Sequence, residues 1–251
     1  MTNALSRYGI KEVADVTFYE VGTDKPVLYL DTLKVSTIEQ TAENSEARGG
    51  KGNAALISWD YGKEITVTLE DALYSPRSLA LIYGDQDANA EYNNDDMVIT
   101  KTIHFEDAVK DTVDYDKKEA KVKLAGNEVT LIECVFYDSY RNEIKTKPSD
   151  LSASIVYITG KIEVAAGNAQ TIDISANSFP GVYKIVGDTY ARNEETGKDE
   201  FFQFVIPKAK VMSESNTITM EAEGDPTVFA MNLKVLRPRD GVMMQLRQYT
   251  V

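Results

Sequence analysis

The feature that most constrains the fold of this chain is a strict period-two alternation of apolar and polar residues. In residues 64–70, Ile65, Val67 and Leu69 alternate with Glu64, Thr66, Thr68 and Glu70; in residues 217–223, Ile218, Met220 and Ala222 alternate with Thr217, Thr219, Glu221 and Glu223. Successive strand side chains point to opposite faces, so each stretch has one face for a core and one for water. Residues 15–21, 120–124, 128–136, 154–164, 181–190, 201–209 and 228–236 read the same way, and 98–105 is strand-like. Turn chemistry separates them at Ala125-Gly126-Asn127, around Gly197 and around Gly224.

Helical signals are few. Ser75 is a suitable N-cap, Pro76 suits the first helical position and Gly84 suits the stop, which predicts a short helix over 75–83 with Leu79, Ile82 and Tyr83 on one face. A weaker helical pattern covers residues 6–14. The expected fold class is mainly β, with one or two short helices packed as covers.

Residues 43–55, ENSEARGGKGNAA, interrupt the strand pattern with three glycines and a basic pair, Arg48 and Lys51. The runs on either side, 25–38 and 56–70, are long enough to project from a sheet. The segment therefore reads as the mobile tip of a long hairpin, and a long loop is more often functional than accidental. Trp59 and Tyr61 are expected to anchor the base of that hairpin; a sugar-stacking platform is the alternative use of the same aromatics.

The polar break at 84–96 and the mixed-charge region 106–119 predict a division of the chain. Residues 1–84 with 181–251 form a core sheet system, and 85–180 form an inserted or second lobe. No stretch approaches the roughly 18 apolar residues of a membrane helix. The N-terminal residues have no apolar secretory core, which predicts folding in the cytoplasm.

The net charge is −13, from 40 acidic and 27 basic residues. That balance argues against sequence-reading nucleic-acid binding, which uses a basic face to displace phosphate counterions. Repulsion is compatible with DNA passing close by without sticking.

The chemical motifs are incomplete. Counting back from Gly50-Lys51, the first P-loop glycine position holds Ser45, and Gly52 stands where the magnesium-binding hydroxyl belongs. Asp85, Asp87 and Asn89 open like a calcium loop, but Ala90 replaces the turn glycine and Asp96 the bidentate glutamate. A solvated acidic loop is the expectation there, with weak calcium binding as the alternative. The single histidine, His104, supplies neither a catalytic triad nor a multi-histidine zinc site. The single cysteine, Cys134, sits in an apolar run and is expected to be a buried, inert thiol. No catalytic residue, metal or cofactor is assigned, and the chain is expected not to be an enzyme.

Three stretches, DTLKVSTIEQTAENSEARGGKGNAALISWDYGKEITVTLEDALYS, FFQFVIPKAKVMSES and TITMEAEGDPTVFAMNLKVLRP, the last in close pairing with the C-terminus, resemble the major tail tube proteins of tailed bacteriophages. The similarity covers mainly residues 27–84 and 200–238. It implies a β-sandwich or barrel-like subunit with a long hairpin loop, assembled into rings, usually hexamers. The rings stack into a tube through which DNA leaves the virion. Carried over residue by residue, the inter-ring contact loop comprises Glu46, Arg48, Gly49, Gly50, Lys51, Gly52 and Asn53. On this reading the acidic, outward residues Glu64, Glu70, Glu221 and Glu223 are expected to help line the lumen. The implied partners are further copies of the chain and sheath, tape-measure, baseplate or terminator proteins, with the virion tail as location and no membrane contact. Residues 85–180 exceed what a small tube protein needs and are expected on the outside. The competing readings are a carbohydrate- or receptor-binding β module using Trp59 and nearby tyrosines, and a hydrolase built on two carboxylates.

Overall fold

The computed structural model describes residues 7–84, 95–214 and 227–250. Its elements run β1 (Tyr8–Ile10), β2 (Asp15–Glu20), β3 (Pro26–Leu30), β4 (Leu33–Gly49), β5 (Ala54–Asp71), α1 (Pro76–Tyr83), β6 (Met97–His104), β7 (Ala120–Leu124), β8 (Asn127–Tyr137), α2 (Leu151–Ser154), β9 (Tyr157–Val164), β10 (Val182–Asn193), β11 (Asp199–Val211), β12 (Phe229–Val235) and β13 (Gln245–Tyr249). The protein is mainly β, as the alternation predicts. Two compact units comprise Met1–Ala90 with Ile172–Val251, and Glu91–Thr171.

The first unit is one antiparallel sheet in the order β3-β2-β10-β11-β12-β5-β4, with β1 added to β10 and β13 to β11. Laid flat, the ends of this path would stand roughly 29 Å apart at about 4.8 Å per strand. Yet β3 ends at Leu30 and β4 begins at Leu33. Two residues cannot span that gap, so the sheet curls until its ends meet, giving the sandwich- or barrel-like form. Every strand of the path contributes to a single core, from Val16 and Phe18 through Leu28, Leu30, Leu33, Ile65, Val67 and Leu69 to Ile185, Ile206, Val211, Leu233 and Val235. Burying each large aliphatic side chain contributes about 1.5–3 kcal/mol.

The run 25–38 is not one strand. Thr32 Oγ1 donates to Asp71 Oδ1 at 2.5 Å, and the Thr32 carbonyl accepts from Ala72 N at 3.2 Å. These bonds bend the chain over the end of β5 and transfer it from one edge of the sheet to the other. The helical pattern in residues 6–14 is also overridden: Tyr8, Gly9 and Ile10 pair with Asn193, Arg192 and Ala191. Pairing with a strand already in place outweighs a weak local propensity.

Helix α1 follows its sequence signals. Ser75 and Ser78 form a reciprocal capping box, Pro76 opens the helix and Gly84 closes it at φ 84°. The buried face is carried by Ser78, Ala80, Leu81 and Ile82, with Leu79 only half-buried. Of the expected face, Ile82 lies in the core and Tyr83 packs partly against it, whereas Leu79 is displaced from the buried side by Leu81. In the second unit the sheet order is β6-β9-β8-β7. Its core includes Ile103, Phe105, Val122, Leu131, Phe136, Ile158 and Cys134.

Candidate assembly surface

The long hairpin is a paired ribbon almost to its end. Strands β4 and β5 pair continuously from Leu33↔Asp71 to Gly49↔Ala54, and only residues 50–53 form the turn. The expected mobile segment 43–55 is therefore mostly strand. Its polar residues have weak strand preference, but side-chain bonds hold them: across the ribbon Asn44 Nδ2 donates to Asp60 Oδ1 at 2.9 Å and also to Ser58 Oγ, and along β4 Arg48 pairs with Glu46 at 2.5 Å.

Burial separates the hairpin into two halves. Ile65, Val67 and Leu69 lie in the core, whereas residues 54–64 of β5 and 39–46 of β4 are all exposed. The outer half is thus an arm roughly 35 Å long at about 3.4 Å per residue. Glu46, Arg48 and Gly49 lie on its final β4 turn-ward stretch, and Gly50, Lys51, Gly52 and Asn53 make the tip. An isolated two-stranded ribbon is marginal in water, because neither of its faces is covered.

Trp59 and Tyr61 are not at the hairpin base, contrary to the sequence expectation; that position belongs to Leu33 and Asp71. They stand in the outer arm, 54% and 53% exposed, beside Ile57 at 55% and Leu56 at 67%. The cause of their orientation is one extra residue. Glu43 faces Tyr61 and Thr41 faces Glu64, so Gly62 and Lys63 together oppose Ala42. This bulge requires φ 63° at Gly62, a conformation natural to glycine. Inserting one residue reverses the parity of a strand. The odd-numbered residues 65, 67 and 69 face the core, but Ile57, Trp59 and Tyr61 share the opposite face with Glu64, Thr66 and Thr68. The arm carries an apolar stripe on the side where the body of the sheet is polar.

That polar side is well defined. Glu64 pairs with Lys234 at 2.8 Å, and Thr68 Oγ1 donates to Asn232 Oδ1 at 3.0 Å. Glu70, half-buried between Ala230 and Val35, lies on the same face. Glu221 and Glu223, like the calcium candidates Asp85, Asp87 and Asn89, lie outside the described residues. Among the described residues no group of three or more His, Cys, Asp and Glu side chains is gathered to hold a metal.

The two single-copy chemical residues are apart in kind. Cys134 is 1% exposed, and burial, reinforced by Glu119, pushes its thiol up to about 11. His104 is exposed at the end of β6, its ring 4.6 Å from that of Tyr157. Among the described residues no helix is long and apolar enough to cross a membrane.

A search among curated proteins returned no match. A family model described as the YomU/Tube protein family matches residues 8–246.

Proposed function

The chain belongs to the YomU/Tube protein family, and on that premise we propose that it is a structural virion protein that assembles with copies of itself into stacked rings forming a phage tail tube. One observation carries this reading: the exposed arm with Ile57, Trp59 and Tyr61 on a single face. Apolar groups in a contiguous exposed row mark an interaction surface. A bare ribbon of this length gains most when a neighbour covers it. No catalytic role is assigned to any residue.

In this reading the sheet face bearing Glu64, Thr66, Thr68 and Glu70 belongs to the channel wall. Carboxylates there repel the DNA backbone and keep the passage from becoming a binding site. Residues 91–171 are additional to the tube-forming part and are assigned to the outer surface of the tube. Virion proteins such as sheath or tape-measure subunits are its further partners.

Negative-stain microscopy of the concentrated, purified chain tests the proposal directly. Rings or tubes are expected from the intact chain, and folded subunits that fail to stack are expected when residues 48–53 are deleted. Persistent monomers from the intact chain would overturn it, and glycan binding by those monomers would favour the carbohydrate-recognition reading.

A further inference from the structure

A second exposed surface lies on the same outward side of the first unit, several strands from the arm. Tyr190 on β10, Phe201 on β11 and Tyr249 on β13 are cross-strand neighbours. Their ring centroids are 5.3 Å apart at each step, and all three residues are exposed. The row is about 11 Å long and lies in the open, where stacked rings normally seek cover.

The adjoining row is charged and one-sided. Arg247 faces Gln203, Gln203 faces Asp188, and Asp188 faces Asp15. Asp31 follows one residue beyond the Val16↔Leu30 pair, which places it beside Asp15. The carboxylates of Asp15 and Asp188 thus oppose each other directly, an arrangement that destabilises a sheet. Tyr29 Oη donates to Asp15 Oδ2 at 3.4 Å, and the Tyr29 hydroxyl is pushed up by burial and then by Asp15, Asp31 and Asp188. Among the described residues no lysine or arginine pairs with any of these three carboxylates, and Arg247 has no acidic partner.

The arm carries the complementary arrangement. Its stripe from Ile57 to Tyr61 is about 14 Å long at about 3.4 Å per residue. Glu43 stands opposite Tyr61 at the inner end, and at the tip Lys51 and Arg48, the latter paired with Glu46 of its own strand, leave a net positive charge. Laid across the strands with Tyr61 toward Tyr249 and Ile57 toward Tyr190, the arm sets Glu43 near Arg247. The tip then extends past β10 over the carboxylates of β2 and β3. Reversing the direction would put Glu43 against those carboxylates, so charge selects one orientation.

We infer that the arm of one subunit docks across the Tyr190–Phe201–Tyr249 row of a second copy, with its basic tip over Asp15, Asp31 and Asp188. This deepens the self-assembly reading and rests on it. The two surfaces are different patches of one chain, so the contact is head-to-tail. Such a contact propagates into a ring or a filament, whereas a single self-complementary patch would stop at a dimer.

Two variants split the contact into halves. One carries Arg48→Glu and Lys51→Glu and keeps the row; the other carries Asp188→Lys and Phe201→Ser and keeps the arm. All four positions are exposed, and a lysine at 188 faces Asp15, so both chains are expected to fold, as circular dichroism and thermal melts report. Sedimentation velocity is expected to show each variant monomeric where the unaltered chain assembles, with at least a tenfold rise in the concentration needed for assembly. An equimolar mixture is expected to form 1:1 pairs, since each chain supplies the half the other lacks. A mixture that stays monomeric, or variants that assemble normally, while the unaltered chain grows tubes, overturns this docking and leaves self-assembly standing. An unaltered chain that never assembles overturns both.

Discussion

The Ser178 hydroxyl donates a hydrogen bond to the carbonyl oxygen of Gly84. These residues flank the excursion of the chain into the second unit, and both belong to the first, so its two segments are held together at Gly84 and Ser178. The fit is close: a Cβ on Gly84 would stand 2.4 Å from the Phe179 carbonyl carbon. Insertions are tolerated where the host ends are already together. Replacing residues 91–171 with a short Gly/Ser linker should therefore leave a folded first unit. The check is a cooperative thermal melt with retained β-type circular dichroism; an unfolded or aggregated product would refute the independence of the two units.

Trp59 is the only tryptophan, and it is exposed on the arm. Its fluorescence should be that of a solvated indole in the monomer and should shift to the blue when subunits assemble. Trp59→Ser should change monomer stability by no more than about 0.5 kcal/mol, as for other surface positions, while suppressing assembly. Emission that stays unchanged on tube formation would remove Trp59 from the interface.

Gly187 faces Phe204 across β10 and β11, and a Cβ there would lie 2.1 Å from two atoms of the Phe204 ring. The ring is 3% exposed within the core, so it has nowhere open to move. Gly187→Val is expected to cost about 1–3 kcal/mol, the usual range for overpacking. Denaturant titration measures it, and a variant as stable as the parent would show that the core can rearrange here.

The buried thiol sets a pH dependence. Cys134 is raised to about 11 in the folded protein, against roughly 8.5 in an unfolded chain. The native state therefore holds its proton more tightly between these values. The stabilisation is fully present below about pH 8.5 and is lost as pH rises toward 11. Cys134→Ala should flatten that alkaline loss. In the native chain at pH 8, alkylation should run at least tenfold more slowly than in denaturant; equal rates would mean that the site opens readily.

The inner hairpin was legible because Ile65, Val67 and Leu69 announce a half-buried strand without help from distant residues. Helix α1 was legible for the same reason, since Ser75, Pro76 and Gly84 act locally. The outer arm was not. Asn44, Ser45 and Glu46 have little strand preference of their own and are held by Asp60, Trp59 and Ser58 across the ribbon. The parity change at Gly62 depends on the count of residues opposite Ala42, which one strand's sequence does not contain. Gly62 itself was the available signal. The break at Thr32 was hidden because its cause, Asp71, lies at the far end of another strand. The aromatic row Tyr190–Phe201–Tyr249 was equally silent, because each ring comes from a different strand and their meeting is a matter of register.

The arm and the body share β5 without interruption, and that continuity has a mechanical consequence. Residues 66–71 of the same strand are laddered to β12 through the pairs Thr66↔Lys234 to Asp71↔Phe229. Ladder hydrogen bonds run perpendicular to the strands, so a pull along the arm loads this whole set in parallel. Tension delivered at the tip meets the sheet in shear, the direction in which it yields last, and passes into the core without peeling the strand away one bond at a time.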